Sequence, residues 1–260
     1  MIKVGVVDSG FSAHQQEWVA DSAAFVMQDN GLWLADAEPD QLGHGSHIID
    51  TIHQVAPDTC FYLAQVFQQR FTTSTGQVSA AIDWLVEQQV DVINMSLGLR
   101  QDRESLRDSI QAALNAGIVI CASSPAKGDP VYPAAYSGVF RMTGDARCAA
   151  EEWSYLETEY ADFGGYVKSA DGQQAGASMG TARMSGHVCN LLLAQSSGIS
   201  QRSPISQGPQ ISQSNHASQS SQALTQKLPL SEIRSLLQQG ASYFGPERKG
   251  FTDQSAGTQP

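Results

Sequence analysis

Apolar positions along the chain fall into two periods, and the changes between them mark the elements. Residues 2–7 read Ile-Lys-Val-Gly-Val-Val with little polar alternation, as a strand buried on both faces does, and Asp8-Ser9-Gly10 ends it. Residues 24–34 read as a hairpin or loop region turning at Asn30-Gly31. Ile48, Ile49 and Ile52 share a helical face that opens at His44 and is broken at Val55-Ala56-Pro57. Phe61 to Phe67 reads as another buried strand, and 77–89 as an amphipathic helix with Val78, Ala81, Ile82, Leu85 and Val86 on one face. Asp91 to Gly98 is a third strand running into a glycine turn. A second amphipathic helix covers 103–116, capped by Asn115-Ala116-Gly117, and Ile118 to Ala122 is a fourth strand. After a proline-rich loop, strand-like pieces occur near 138–144 and 163–168, and a helix over 179–193 turns Met184, Val188, Leu191 and Leu192 inward. Strands alternating with helices at this spacing predict an α/β fold, a central mostly parallel sheet with right-handed crossovers and helices on both faces.

The pattern lapses at 195–226, where 18 of 32 residues are Ser or Gln and Arg202 is the only charged one. So few large apolar side chains cannot offset the entropy of ordering, so a flexible surface insertion is expected, with a partner-docking segment as the alternative. A helical period resumes over Leu230 to Leu237, with Ser231 as the cap candidate and an end near Gly240, and 251–260 reads as a loose tail. One domain over 1–250, interrupted by a single insertion, is the expected organisation.

Composition narrows the partners. The 260 residues suffice for one large core, and 15 basic against 26 acidic residues give a net charge of −11. That charge repels phosphate backbones and anionic lipid, so nucleic acid and membrane surfaces are excluded and a peptide or protein partner suits better. The N-terminus lacks a basic stretch followed by an apolar run and a cleavage site, and nothing approaches the roughly 18 apolar residues of a membrane span, so a cytoplasmic location is expected. Cys60, Cys121, Cys148 and Cys189 lie far apart in or beside apolar sequence and read as buried, reduced thiols.

The candidate chemistry centres on Gly176-Ala177-Ser178-Met179-Gly180, which precedes an apolar helix-length run. Small neighbours let a carbonyl approach the serine hydroxyl, and free N–H groups at a helix N-terminus face developing negative charge. Alone, such a stretch is equally a turn. Asp8 stands at the carboxyl end of the first strand, where open α/β sheets place ligands, though a turn aspartate would look the same. His44 lies between two glycines. His44 and His47 could hold a metal, but only Asp50 is nearby and no ligand set is completed, so no metal is expected.

Taken together, Val7-Asp8-Ser9-Gly10, His44-Gly45-Ser46-His47, Val55-Ala56-Pro57, Val92-Ile93-Asn94-Met95-Ser96-Leu97-Gly98 and Gly176-Ala177-Ser178-Met179 resemble the motifs of the subtilisin family, in that family's Asp, His, Ser order. The resemblance covers about 1–193 and 229–250. It implies a subtilisin-like α/β fold and a serine endopeptidase without cofactors. Ser178 would be the nucleophile, His44 the general base and then acid, and Asp8 the group that fixes the imidazole. His47 would be structural. Ser96-Leu97-Gly98 would pair with an extended substrate, and Ala122-Ser123-Ser124 would form the other wall of the first pocket.

Three departures stand out. Where the family carries an oxyanion-hole asparagine, this chain reads Ser123-Ser124-Pro125-Ala126-Lys127, which leaves the Ser178 N–H, with the Ser124 hydroxyl as candidate helper. In subtilisin itself, loss of that amide slows turnover by about 10²–10³. Ala182-Arg183-Met184 replaces the family's Pro-His-Val, and Arg183 reads as an ordinary surface arginine, or as a reader of an acidic substrate residue. Asp50 replaces a small residue, so its burial would need a partner or a proton. An enzyme without an inhibitory pro-segment ahead of the first strand is expected, which would suit a dedicated enzyme that removes a leader from one precursor, with a maturation partner as a further candidate. The competing readings are a silent peptide-binding module of the same fold and a broad degradative protease.

Overall fold

A computed structural model describes residues 1–29, 31–197 and 227–247. Ten strands form one sheet: β1 (Ile2–Asp8), β2 (Val19–Gln28), β3 (Gly31–Ala35), β4 (Thr59–Gln65), β5 (Val92–Met95), β6 (Val119–Ser123), β7 (Phe140–Gly144), β8 (Trp153–Tyr155), β9 (Phe163–Gly165) and β10 (Tyr243–Phe244). Among the described residues five α-helices accompany them: α1 (His44–Val55), α2 (Thr75–Glu87), α3 (Glu104–Asn115), α4 (Ala177–Ser196) and α5 (Leu230–Gln239). The strand order is β10-β8-β9-β7-β6-β5-β1-β4-β2-β3. Only β2 with β3 and β8 with β9 run antiparallel; the other neighbours are parallel.

The period-2 geometry of β1 shows why the sheet is covered twice. Val4 and Val6 pack with Ile48, Ile49 and Ile52 of α1 and with Met184 and Val188 of α4. Val7 faces the opposite layer of Val78, Ala81, Ile82 and Leu85 of α2 and Leu106, Ile110 and Ala113 of α3. Gly5 points the same way, and a Cβ there would lie 2.8 Å from Leu85, so α2 rests directly on the strand. The three isoleucines of α1 are fully buried and together contribute about 5–9 kcal/mol, which seats the helix that begins with His44.

β1 lies between β4 and β5, so the chain winds outward from it in both directions. Such a switch point leaves a crevice outside the carboxyl ends of the strands, and Asp8 ends β1 there while Ser96 follows β5. Val86 of α2 is only half-buried, and so are Leu191 and Leu192 of α4, although both leucines pack against the core.

Several boundaries differ from the sequence expectation. α4 runs on to Ser196, two residues into the Ser/Gln-rich stretch; 198–226 and 248–260 lie outside the described residues. α5 is capped by Pro229 rather than Ser231, because Pro229, at φ −58 and ψ 144, already delivers the chain extended and Leu230 turns helical, leaving Ser231 inside the first turn. β8 and β10 were not foreseen. β8 joins the sheet by pairing with β9, and β10 by pairing with β8, where Ser242 N–H donates to the Trp153 carbonyl at 2.8 Å; the Trp153 indole N–H, which donates to Leu237 O at 2.7 Å, ties β8 to α5. Among the described residues no helix is long and apolar enough to cross a membrane. Cys121, Cys148 and Cys189 are buried free thiols, and Cys60 is half-buried and free.

Candidate active site

Asp8 and His44 meet because α1 sits hard against the loop that follows β1. A Cβ at Gly45 would fall on the Gly10 carbonyl oxygen and 2.9 Å from Gly10 N, so only glycine permits this approach. The Gly45 N–H donates to Ser9 Oγ at 2.9 Å, and Gln65 Nε2 donates to Ser9 O at 2.8 Å, clamping the loop from both sides. Asp8 is fully buried. Its Oδ1 accepts from Ser9 N–H at 2.8 Å, and His44 Nδ1 lies 2.8 Å from Oδ1 and 3.0 Å from Oδ2. That contact sets the tautomer with the proton on Nδ1 and leaves Nε2 free to act as a base.

Asp40, which the sequence reading passed over, organises the start of α1. Its Oδ1 accepts from Leu42 and Gly43 N–H at 3.0 and 2.8 Å, and its Oδ2 from Ser46 N–H and Oγ at 2.9 and 2.7 Å. No local sequence pattern marks it: Gly43, the N-cap of α1, has no side chain, and Asp40 three residues earlier supplies the acceptors for the free N–H groups of Gly43 and Ser46. Burial works against the Asp40 carboxylate, but the donors from Ser46, Ser9 and Gly43 outweigh it and hold its pKa below the ordinary aspartate value. For His44 burial alone would lower the pKa. The charge of Asp8, its hydrogen bond and the more distant Asp40 charge prevail and raise it above the ordinary histidine value.

Ser178 is the second residue of α4, entered through Gly176 at φ 134 and ψ −166, a backbone state open only to glycine. Its N–H belongs to the first turn, which has no intrahelical acceptor, and so points outward as a donor. The helix is fixed there by close backbone approach: a Cβ on Gly180 would stand 2.6 Å from Thr143 O. A buried polar relay ties it to β5 and β6. Asn94 Nδ2 donates to Ser96 Oγ at 3.1 Å, Ser96 Oγ donates to Ser178 O at 3.2 Å, and Ser185 Oγ donates to Asn94 Oδ1 at 3.0 Å. Ser123 Oγ lies 2.7 Å from Thr181 Oγ1. The Ser178 hydroxyl itself donates to Ser96 O at 3.4 Å and makes no hydrogen bond to His44 among the described residues. Such contacts often tighten only when substrate binds.

The remaining expected site residues divide. Leu97, Gly98 and His44 line a cavity of about 360 Å³ with Phe67 and Phe71, whose ring stands edge-on to His44 at 5.6 Å. On the other side Gly98 meets Val131, and Leu99 forms an antiparallel bridge with Tyr132. Ala122 is buried in the second core layer, and Ser124 lines a separate cavity of about 510 Å³ with Val131, Tyr132 and Tyr160.

Two expectations require correction. The Ser124 hydroxyl donates its one proton to Tyr160 O at 2.6 Å, so in this arrangement it has none to offer an oxyanion. Ser124→Ala is accordingly expected to leave turnover unchanged; a fall of about 10²–10³ in kcat would return the hydroxyl to the oxyanion hole. Arg183 is not a surface residue but 3% exposed, held by Gln54, Ala150 and Lys168. Asp50 has the partners its position demands, accepting from Gln15 Nε2 at 2.6 Å and lying 3.1 Å from His14 Nε2. His47 Nδ1 lies 3.6 Å from Asp171 Oδ1.

Known proteins resemble the chain in sequence and in fold. The subtilase family model matches residues 1–203. Minor extracellular protease Epr of Bacillus subtilis (strain 168) is 30% identical over 154 residues, covering 55% of this chain and 23% of Epr. Subtilisin DY of Bacillus licheniformis is 29% identical over 157 residues, 54% of this chain and 55% of that protein. The chain thus spans from about a quarter to just over half the length of these relatives. Among solved structures, the prenylagaramide maturation protease PagA superposes with a TM-score of 0.57 at 19% identity, covering 77% of this chain and 78% of PagA. The S218A mutant of the protease domain of PatA gives 0.57 at 16% identity, covering 76% and 81%. At that identity the likeness concerns the fold.

Proposed function

The chain belongs to the subtilase family, and from that premise we propose that it is a serine endopeptidase whose catalytic residues are Asp8, His44 and Ser178. His44 Nε2 takes the proton of Ser178 Oγ as the oxygen attacks the scissile carbonyl. It then returns that proton to the leaving amine, and water resolves the acyl-enzyme by the reverse sequence. Asp8 holds the tautomer and balances the imidazolium. The Ser178 N–H at the start of α4 is the oxyanion donor. Ser96, Leu97 and Gly98 are the strand that an extended peptide joins, with Ala122 and Ser123 behind them. The observation that carries the reading is the buried Asp8 carboxylate 2.8 Å from His44 Nδ1, at the carboxyl end of the inner strand β1, with Ser178 in the first turn of α4.

The substrate is a peptide or protein precursor from which a leader is removed in the cytosol, within a single domain over 1–250. Four considerations support this. PagA is by its name a maturation protease; an oxyanion site lacking an asparagine amide suits one dedicated bond better than general digestion; the net charge of −11 suits a neutral or cationic peptide. The chain also resembles the compact subtilisin-like protein that matures the small subunit of quinohemoprotein amine dehydrogenase, which makes such a precursor the first substrate to test. Incubating the wild type with precursor proteins encoded beside its gene should yield one product shortened at its N-terminus, with unfolded casein left intact. Broad cleavage of casein would contradict the leader-specific reading. A second reading, a silent peptide-binding module, draws on the Ser178 hydroxyl bonding Ser96 O instead of His44.

A further inference from the structure

Edge strands that face water are commonly guarded by a charge, a proline or a bulge that keeps other strands away. β3 carries no such guard. It reads Gly31-Leu32-Trp33-Leu34-Ala35, it ends the sheet, and among the described residues no strand pairs with its outer edge. The chain carries a net charge of −11, yet none of that charge lies in these five residues. Both faces of the strand are bare as well. Leu32 is 41% exposed, Trp33 60% and Leu34 64%, and Met27, which pairs with Leu32 from β2, is 49% exposed.

The register fixes which backbone groups look outward. Gln28 pairs with Gly31 across the turn, so hydrogen-bonded pairs recur at every second position, at Val26 with Trp33 and Ala24 with Ala35. The N–H and C=O groups of Leu32 and Leu34 are therefore turned to the open edge. The strand is also symmetric about Trp33, with a leucine on each side and a small residue beyond each leucine. We propose that β3 pairs antiparallel with β3 of a second copy, about a two-fold axis at Trp33. Leu32 then faces Leu34 of the other copy in both directions, the hydrogen-bonded pairing that the outward groups require, and Trp33 meets Trp33 between them. A register one residue away sets an outward group against an inward one. Registers two residues away set a leucine against Asn30 or Asp36, so only the one centred on Trp33 matches every leucine with a leucine.

Area sets the strength. The covered side chains come to at most roughly 400 Å² per copy, about half of what each partner brings to a standard interface, so the dimer is weak, with a Kd of about 10–100 μM. Asp36 of each copy comes beside Asp29 of the other, so screening by salt should tighten it. The contact does not depend on the endopeptidase reading.

Sedimentation equilibrium of the whole chain, from about 1 to about 200 μM in low and high sodium chloride, tests it. The wild type should pass from monomer to dimer across that range, with a Kd at least about threefold lower in high salt. Leu34→Lys, at a position already 64% exposed, should keep the wild-type Tm and weaken the dimer more than about tenfold. Mild oxidation tests the register. Trp33→Cys should link two chains by a disulfide, because non-hydrogen-bonded opposites stand about 4.5 Å apart at Cα, whereas Leu32→Cys, which faces Leu34, should not. The wild type run in parallel accounts for Cys60. A wild type that stays monomeric throughout in both salts would overturn the proposal and leave the edge to an extended segment of another protein. So would a dimer that Leu34→Lys leaves intact, or a Leu32→Cys that links as fast as Trp33→Cys.

Discussion

Ser178→Ala is expected to lower kcat by on the order of 10⁶-fold with KM nearly unchanged, a magnitude carried over from subtilisin, where removing the nucleophile costs about as much as removing the whole triad. The physical reason is that Oγ touches substrate only in the steps that make and break the acyl bond. The contacts that hold α4 in place use the Ser178 backbone carbonyl, which Ser96 Oγ reaches at 3.2 Å, and the substitution leaves that carbonyl in place. The hydroxyl contributes one long bond, 3.4 Å to Ser96 O, so folding should be unaffected within about 0.5–1 kcal/mol. Steady-state kinetics on a cleavable peptide, with a thermal melt of both proteins, separates the two effects. A loss of Tm equal to a partial loss of activity would point to a structural serine.

Asp8→Asn should lower kcat by about 10⁴-fold, and it should also move the pH profile in a direction that can be worked out beforehand. The general base must be neutral, so activity falls as pH drops through the His44 pKa. In the native chain that pKa lies above the ordinary histidine value because the Asp8 charge and hydrogen bond overcome burial. The acid limb of kcat/KM therefore lies above about pH 6.5. Asparagine removes the charge and can present its NH₂ to Nδ1, which favours the wrong tautomer, and burial then dominates. The residual activity should have its acid limb shifted to lower pH. The linked stability has the opposite sense: because the folded pKa is raised, the Asp8–His44 pair stabilises the fold most below the ordinary histidine pKa, and that contribution is lost as pH rises through the folded value. An unchanged acid limb in Asp8→Asn would mean that His44 is not the titrating base.

Much of this was legible along the chain where a local pattern decides the structure. β1, α1, α2 and α3 follow from apolar periods closed by Gly and Pro, and the position of Asp8 at a strand end and Ser178 at a helix start follows from the glycines beside them. What escaped depends on residues far apart. β8 and β10 are three and two residues long; β8 forms where Trp153 to Tyr155 meet Phe163 to Gly165 of β9, and β10 where Tyr243 and Phe244 find Ser154 and Tyr155 across the fold. Asn94 and Ser185 look like ordinary polar residues until β5 and α4 bring them to 3.0 Å. Arg183 reads as solvated from its charge, and only the packing of α1, α4 and the segment around Ala150 reveals it as enclosed. Ser124 looked free because nothing in its neighbourhood announces that Tyr160 O will stand 2.6 Å away.

The central claim is that Ser178 is a nucleophile activated by His44, and covalent labelling tests it most directly. A fluorophosphonate probe transfers its phosphonyl group to an activated serine oxygen with loss of fluoride, and intact-protein mass spectrometry with peptide mapping locates the adduct. Between pH 6 and 9 the wild type should gain one adduct, on Ser178, at a rate that rises with pH through the His44 titration, while Ser178→Ala gains none. Absence of labelling across that range, or an adduct that persists in Ser178→Ala, would contradict it.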